Sequence, residues 1–196
     1  FVCYLESVIM NETVYLLQKL LETYGFDLSD PDFKRTPERM DKMFREVCSS
    51  HFINVDEQID KLFEVQFPTT YEGLVIVEPI PFVAICPHHF LSVFGNVYLG
   101  VVSGDSVVGL SKYPRLVKLL ASKPVKQEDF TQNLVNTIYD RLECKGVMAV
   151  VKATHTCMTI RGVKAPGVIT TTSSVKGIFD TDLSLKAEFM SLIGDV

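Results

Sequence analysis

The sequence lacks several features that define large classes of protein. It has no apolar run near the roughly 18 residues that a membrane-spanning helix requires, which argues against a membrane protein. It has no excess of basic residues, and its net charge of −5 argues against a general nucleic-acid-binding protein. It contains no internal repeat and no low-complexity segment. With 47% hydrophobic and 22% charged residues, its composition is that of an ordinary globular protein.

The five cysteines also lack the pattern of a disulfide framework. Their number is odd, and Cys3, Cys48 and Cys144 lie in apolar or helical contexts that are typical of buried thiols. This pattern favours a reducing compartment, so we expect a cytoplasmic protein. The segment 1–10 is apolar, but it has no basic region and contains Glu6, so we expect a core-facing element rather than a leader peptide.

The spacing of apolar residues predicts an α+β fold, in which helices and strands form separate blocks along the chain. Asn11 and Thr36 are expected to cap the first two helices, and Pro37 is favoured in a first turn. After the first third of the chain, Val, Ile and Phe become frequent, which marks the strands. The predicted helices cover 11–24, 36–48, 55–63, 113–120, 127–142 and 185–192, and the predicted strands cover 74–85, 94–102, 147–154, 157–163 and 168–175.

Three of the four histidines and two of the five cysteines lie in two short motifs, and thiolates and imidazoles are the ligands that zinc prefers. The motifs are Cys86-Pro87-His88-His89 and His155-Thr156-Cys157. On one helical turn, Cys86 and His89 would share a face. On a strand, His155 and Cys157 would share a face. A site made of Cys86, His89 and Cys157 would leave a fourth position open for water, as in catalytic zinc sites.

The spacing leaves two roles open for His155. As a fourth ligand it would close the site and make the zinc structural, whereas as a free imidazole beside the zinc it would move protons near neutral pH. The same two roles are open for His88, and a solvent-exposed or hydrogen-bonded histidine is the simpler interpretation of that residue.

Other polar residues suit a nucleotide if the fold brings them together. Five basic residues would suit a triphosphate, because arginine grips phosphate with two hydrogen bonds, although each alone is more typical of a solvated surface charge. Glu128, beside Gln127, opens the long helix and complements its dipole, or else accepts two hydrogen bonds from a guanine N–H edge. The run 170–174 of Thr and Ser is typical of a half-exposed strand. The basic residues are Arg39, Lys42, Lys112, Arg115 and Arg161.

Taken together and in order, these motifs resemble the GTP cyclohydrolase I family over about residues 36–189. The resemblance is specific because it rests on several segments at once. They are Thr36-Pro37-Glu38-Arg39, Cys86-Pro87-His88-His89, Gly109-Leu110-Ser111-Lys112, Gln127-Glu128, His155-Thr156-Cys157-Met158, Arg161-Gly162-Val163, and the run Thr170 to Thr172 that leads to Gly177-Ile178-Phe179.

The resemblance implies a zinc enzyme that opens the imidazole ring of GTP. Cys86, His89 and Cys157 match the zinc ligands, and a zinc-activated water attacks C8 of guanine. The products are formate and 7,8-dihydroneopterin triphosphate, in the first step of folate, biopterin or deazaguanine synthesis. The remaining matches are His88 and His155 beside the metal, with His155 as the principal proton shuttle, Gln127 and Glu128 at the guanine, and Arg39, Lys42, Ser111, Lys112, Arg115 and Arg161 around the triphosphate.

The resemblance also implies the tunnelling fold, with antiparallel strands and helices on one face. In this family the sheets of several subunits join into a barrel, and toroidal decamers of two pentamers hold their sites between subunits. We therefore expect a homo-oligomer, with an N-terminal helical segment over 1–66 and a catalytic domain over 67–196. No nucleic-acid or membrane partner is expected.

Two positions depart from the family pattern. Pro87 stands where the family usually has Glu, and Ser92 stands where it tends to have Pro. The loss of a carboxylate next to a metal ligand lowers metal affinity or activity by about 10–100-fold in other sites. The alternatives are therefore a zinc-stabilised protein that binds nucleotides without turnover, or a cyclohydrolase for another purine nucleotide. A nitrile reductase of the same fold is disfavoured, because its chemistry needs no metal.

Overall fold

The computed structural model describes the backbone of residues 2–194 and the side chains of residues 12–194. The chain divides into two compact units, Phe1–Ser49 and Ser50–Val196. Within the described residues, no helix is both long and apolar enough to cross a membrane. The side chains of segment 1–10, which we expected to face the core, lie outside the described residues. The predicted domain boundary at residue 66 stays a prediction.

The N-terminal unit consists of two helices. Helix α1 (Val2–Thr23) begins well before residue 11, so the expectation that Asn11 caps it was wrong. It ends where Gly25, at φ +81°, donates to the carbonyl of Glu22, while the N–H of residue 26 reaches back to residue 21. This is a glycine-terminated helix end of the Schellman type. Helix α2 (Thr36–Val47) has Arg35 at its N-cap position, not Thr36 as expected, and it carries Pro in its first turn.

The second unit is built on a four-stranded antiparallel sheet with the strand order β2-β3-β5-β6. The strands are β2 (Leu74–Ile85), β3 (Ser92–Val102), β5 (Gly146–His155) and β6 (Thr170–Gly177). A small separate pair joins β1 (Phe67–Pro68) to β4 (Ser106–Val107). The alternation of side chains along each strand gives the sheet two faces with different coverings.

The main core lies between one face of this sheet and three helices, α3 (Val55–Phe63), α4 (Lys112–Ala121) and α5 (Gln127–Leu142). Val97 and Leu99 of β3 are fully buried there with Leu134 and Ile138 of α5. The other face is covered in part by α7 (Leu183–Leu192), through Phe189. The predicted α+β class is therefore confirmed, and the bounds of α3, β2 and α5 agree with the predicted ones to the residue.

One predicted strand was wrong. Residues 157–163 do not continue the sheet, because the chain turns immediately after β5 into the short helix α6 (Thr156–Thr159). The N–H of Ile160 donates to the carbonyl of Thr156 at 3.0 Å. Gly162 and Lys164 then adopt positive φ angles of 57° and 48°, which bend the backbone away from an extended course. His155 and Cys157 therefore do not alternate along one strand.

Candidate functional site

The first motif forms the loop between β2 and β3. Cys86 follows the last residue of β2, and its N–H donates to the carbonyl of Leu91 at 2.9 Å. The N–H of Phe90 donates to the carbonyl of Cys86, also at 2.9 Å, which closes one helical turn that does not continue into a helix. Neither bond uses the N–H that Pro87 lacks, so proline fits this position of the turn.

Two thiols meet at this loop. Cys86 is buried, and Cys157, on α6, is half-buried and close enough for Cys86 to affect its pKa. Burial raises the pKa of Cys157, and the neighbouring Cys86 raises it further, while the charge of Arg161 acts in the opposite direction. The Nδ1 atom of His88 lies 3.5 Å from the Sγ atom of Cys86. The structure thus brings together both cysteines and one histidine of the two motifs.

His89 faces a different partner. Its Nε2 atom accepts a short hydrogen bond from Nη1 of Arg161, and both side chains are exposed. The rings of His88 and His89 are 6.5 Å apart and meet edge to face. Among the described residues, no three His, Cys, Asp or Glu side chains are arranged as a preformed metal site. The reason is local, because His89 bonds to Arg161 instead of turning toward the thiols.

The donor set nevertheless fits zinc. Two adjacent thiols and an imidazole from the same turn are the ligand types of three-ligand zinc sites. Their proximity raises a thiol pKa in this structure, and a cation between them would relieve that repulsion by favouring the thiolate forms. The role of Cys86, His89 and Cys157 as metal ligands stays a prediction.

His155 is held by the side chain of Gln127. It is the last residue of β5, and its Nε2 atom lies 2.8 Å from Oε1 of Gln127, the first residue of α5. The amide nitrogen of Gln127 donates to the carbonyls of Val151 and Thr170, both at 3.0 Å, and lies 3.1 Å from Oγ1 of Thr172. Gln127 is only 4% exposed, so these contacts are shielded from water.

Glu128 is exposed, whereas the preceding residue, Gln127, is buried. Glu128 lies in the first turn of α5, where its charge raises the pKa of His155. The larger effect on His155 is burial, which lowers its pKa from the usual value. The net shift is downward, so the imidazole of His155 is neutral at neutral pH and free to accept a proton.

Three contacts between elements gather these groups at one end of the sheet. Val93 of β3 pairs with His155 of β5, which sets the loop after β2 beside the end of β5. The hydroxyl of Thr156 donates to the carbonyl of Ser92 at 2.7 Å and ties α6 to the start of β3. The N–H of Val125 donates to the carbonyl at position 85, which brings the start of α5 to the same end.

The candidate phosphate-binding residues are more dispersed. Ser111 is the N-cap residue of α4, and it makes no side-chain capping bond. Lys112 is half-buried and Arg115 is exposed in the first turn of that helix. Arg39 and Lys42 are exposed on α2 of the N-terminal unit, so their role stays a prediction.

Sequence reasoning missed the hydroxyls that support Gln127. Thr131 is 1% exposed, and its Oγ1 lies 2.7 Å from Oγ1 of Thr172. The sequence contains two indications of these contacts. Thr131 is four residues after Gln127, so both lie on the same face of one helix, and Thr170 and Thr172 lie on the same face of one strand. What the sequence does not show is that α5 packs with this face against β6.

Comparison with known proteins supports these observations. The family model described as GTP cyclohydrolase I matches residues 14–194. The chain is 39% identical over 180 residues to GTP cyclohydrolase 1 of Geobacillus kaustophilus (strain HTA426), which covers 91% of this chain and 94% of that protein. It is 38% identical over 188 residues to GTP cyclohydrolase 1 of Brevibacillus brevis, covering 95% of this chain and 98% of that protein.

A crystal structure of the archaeosine synthase QueF-Like in the apo form superposes with a TM-score of 0.44 at 14% identity. It covers 56% of this chain and 97% of that chain, a similarity too weak to indicate a function. The family match spans nearly the whole chain, including both Cys/His motifs and the Gln127-Glu128 pair. The predicted tunnelling fold and the predicted enzyme class are confirmed: this chain belongs to the GTP cyclohydrolase I family of enzymes.

Proposed function

We propose that this chain is a zinc-dependent GTP cyclohydrolase that releases C8 of guanine as formate and yields 7,8-dihydroneopterin triphosphate. The observation that carries the proposal is the convergence of Cys86, Cys157, His88 and His155 at one end of the sheet. Family membership supports the reaction class, and these contacts support our assignment of the reaction to this end of the sheet.

Cys86, His89 and Cys157 are the residues that would hold the zinc ion. Bound zinc supplies Lewis-acid activation of water, lowering the pKa of the water toward about 7. His89 is exposed and bonded to Arg161, which carries its own positive charge. If His89 turned toward the thiols to hold zinc, Arg161 would lose this bond and could pair with a phosphate.

His155 is the proton carrier of this proposal. Its Nε2 atom is occupied by Gln127, so the proton taken from the attacking water arrives at Nδ1. The low pKa that burial gives His155 keeps it neutral before the reaction. The same proton then goes to the guanine ring nitrogen that leaves C8. His88, beside Cys86, is the second imidazole of the site.

Glu128 is the residue that we assign to guanine recognition. Its exposed carboxylate presents two oxygens, which accept the N1–H and the amino N–H of guanine. The side chain of Gln127 is committed to Val151, Thr170 and His155. We therefore assign Gln127 a supporting role in place of the direct guanine contact that the resemblance implied.

The triphosphate requires a basic cluster, because the protein as a whole carries a net charge of −5. Arg161 is nearest to the predicted metal ligands, through its bond to His89. By family resemblance, we assign the remaining phosphate contacts to two helices. The residues at the start of α4 are Ser111, Lys112 and Arg115, and those on α2 are Arg39 and Lys42.

We also propose that the enzyme is a homo-oligomer in the cytoplasm, with sheets joined edge to edge as in a decamer of two pentamers. In the described chain, β2 and β6 form the two edges of the four-stranded sheet. Long open edges with exposed apolar side chains, such as Val83 at 62%, are usually covered by another strand. A barrel of several copies would cover both edges.

The test is an anaerobic incubation of the zinc-loaded protein with GTP. Release of formate together with the fluorescence of the oxidised pterin is the expected result. Binding of GTP without formate would instead establish a nucleotide-binding protein without turnover. If formate were released from another purine nucleotide and not from GTP, that nucleotide would replace GTP as the proposed substrate.

A further inference from the structure

We propose that Gln127, oriented by the backbone carbonyls of Val151 and Thr170, is a positioning residue that holds His155 in the tautomer protonated at Nε2. This leaves Nδ1 of His155 as the atom that accepts a proton. The part of the inference that concerns catalysis rests on the proposed function, whereas the tautomer itself is independent of it.

The orientation of the Gln127 amide is fixed by atoms that can only accept hydrogen bonds. One end of the amide lies 3.0 Å from the carbonyl oxygens of both Val151 and Thr170. Carbonyl oxygens have no hydrogen to give, so the NH₂ group must face them and the amide oxygen must face His155. With an oxygen 2.8 Å away, the Nε2 atom of His155 must carry the hydrogen.

Two threonines lie beside this amide. The hydroxyl of Thr131 donates to the backbone carbonyl of Gln127 at 2.7 Å, and it lies 2.7 Å from the hydroxyl of Thr172. The Oγ1 atom of Thr172 lies 3.1 Å from the NH₂ group of Gln127. That group has two hydrogens and faces two carbonyls at shorter distances, so Thr172 shares a hydrogen with a carbonyl. The two carbonyls therefore set the orientation of the amide, and the threonines pack beside it.

Burial makes the network stiff. Gln127 and Thr131 are 4% and 1% exposed, and no buried side-chain nitrogen or oxygen among the described residues lacks a hydrogen-bond partner. Reversing the Gln127 amide would oppose its oxygen to two carbonyls, and a buried unpaired polar group costs about 1–3 kcal/mol. The opposite tautomer of His155 would direct its Nε2 lone pair at the Gln127 oxygen. Both alternatives are disfavoured by the same packing.

The network joins three elements at the catalytic end of the sheet. Gln127 and Thr131 lie on α5, Thr172 lies on β6, and His155 ends β5. Substitution of Gln127 on α5 is thus expected to change the protonation of the two ring nitrogens of His155 on β5. A purely structural role would not change the protonation of one ring nitrogen.

The experiment measures the imidazole ¹⁵N signals by solid-state NMR, on the 196-residue chain labelled only in its four histidines. The signals of His155 are assigned by their absence in His155→Asn. We expect a protonated Nε2 and an unprotonated Nδ1 in the parent protein. A protonated Nδ1 in the neutral ring would overturn the proposal, whether or not the protein turns over GTP.

Two substitutions complete the test. Gln127→Leu removes the amide oxygen that faces Nε2 of His155, at a similar side-chain volume. Thr171→Val is the control, because Thr171 is exposed on β6 and lies outside the network. We expect Gln127→Leu to mix the His155 tautomers and to lower kcat by about 10-fold or more at nearly constant KM, while Thr171→Val resembles the parent. Parent-like ¹⁵N signals in a folded Gln127→Leu would overturn the inference.

If turnover is absent from the parent protein, the proposed function fails, and the ¹⁵N signals still decide the tautomer. If turnover is present but the tautomer in Gln127→Leu is unchanged, only the positioning role of Gln127 fails.

Discussion

The Nε2 atom of His155 lies 2.8 Å from the Oε1 atom of Gln127, and this contact joins the end of β5 to the beginning of α5. It assigns different roles to two adjacent residues of one motif. Gln127 is directed into the protein toward the histidine, whereas Glu128 is directed to solvent and remains available for a ligand. The reaction that we propose requires both, one to orient a proton carrier and the other to hold the base.

We predict that Cys157→Ala loses bound zinc and GTP turnover together. Removal of one of three protein ligands leaves a two-ligand site that does not retain zinc in competition with a chelator. The measurement is zinc content by atomic absorption, alongside formate release. Cys48→Ala is the control, since Cys48 is a half-buried free cysteine in the N-terminal unit, and it should retain both. Full zinc content in Cys157→Ala would remove Cys157 from the ligand set.

We predict that Glu128→Ala raises the KM for GTP by roughly 100-fold, because hydrogen bonds to a charged group contribute about 1.5–3 kcal/mol each. The charge of Glu128 raises the pKa of His155, so its loss moves that pKa further down and leaves His155 neutral. His155 therefore keeps its neutral form, and kcat should fall less than kcat/KM.

The matched control for Glu128 is Asp129→Ala. Asp129 lies next in the same helical turn, but it forms an exposed ion pair with Lys126 at 3.0 Å. Exposed pairs of this kind contribute little, so its loss should leave KM unchanged. An unchanged KM in Glu128→Ala would remove Glu128 from guanine recognition.

Much of the architecture was predictable because the apolar spacing is regular. In α5, Phe130, Leu134 and Ile138 recur every four residues and are all buried, so the helix could be assigned from its pattern alone. The segment 157–163 misled because its middle part, Met158 to Arg161, alternates apolar and polar residues like a strand. Its apolar residues Ile160 and Val163 are 63% and 72% exposed, so burial does not hold them in a sheet.

The site was predictable in its residue types but not in its contacts. The motifs identified the thiols and imidazoles, because metal ligands cluster in sequence. The bond between His155 and Gln127 depends on how β5 and α5 pack, and the bond between His89 and Arg161 depends on the turn after α6. Neither arrangement follows from spacing along the chain, since each joins residues from different elements.

We predict that Pro87→Ala retains zinc and turnover, because the hydrogen bonds that close the turn come from the N–H groups of Cys86 and Phe90. The expected change is a decrease of about 0.4–1 kcal/mol in the free energy of unfolding, since proline restricts the unfolded chain. Denaturant titration measures it, with zinc content determined in the same samples. Loss of zinc in Pro87→Ala would show that the ring of Pro87 itself shapes the ligand turn.

The most direct test of the account is zinc content and turnover of His155→Ala, compared with those of Cys157→Ala. The account makes His155 a proton carrier outside the ligand set, held by Gln127. It therefore predicts that His155→Ala retains full zinc and loses turnover by about 10²–10⁴-fold, the usual contribution of a general acid–base residue. If His155→Ala loses zinc as Cys157→Ala does, the site has four protein ligands, and the proposed mechanism is contradicted.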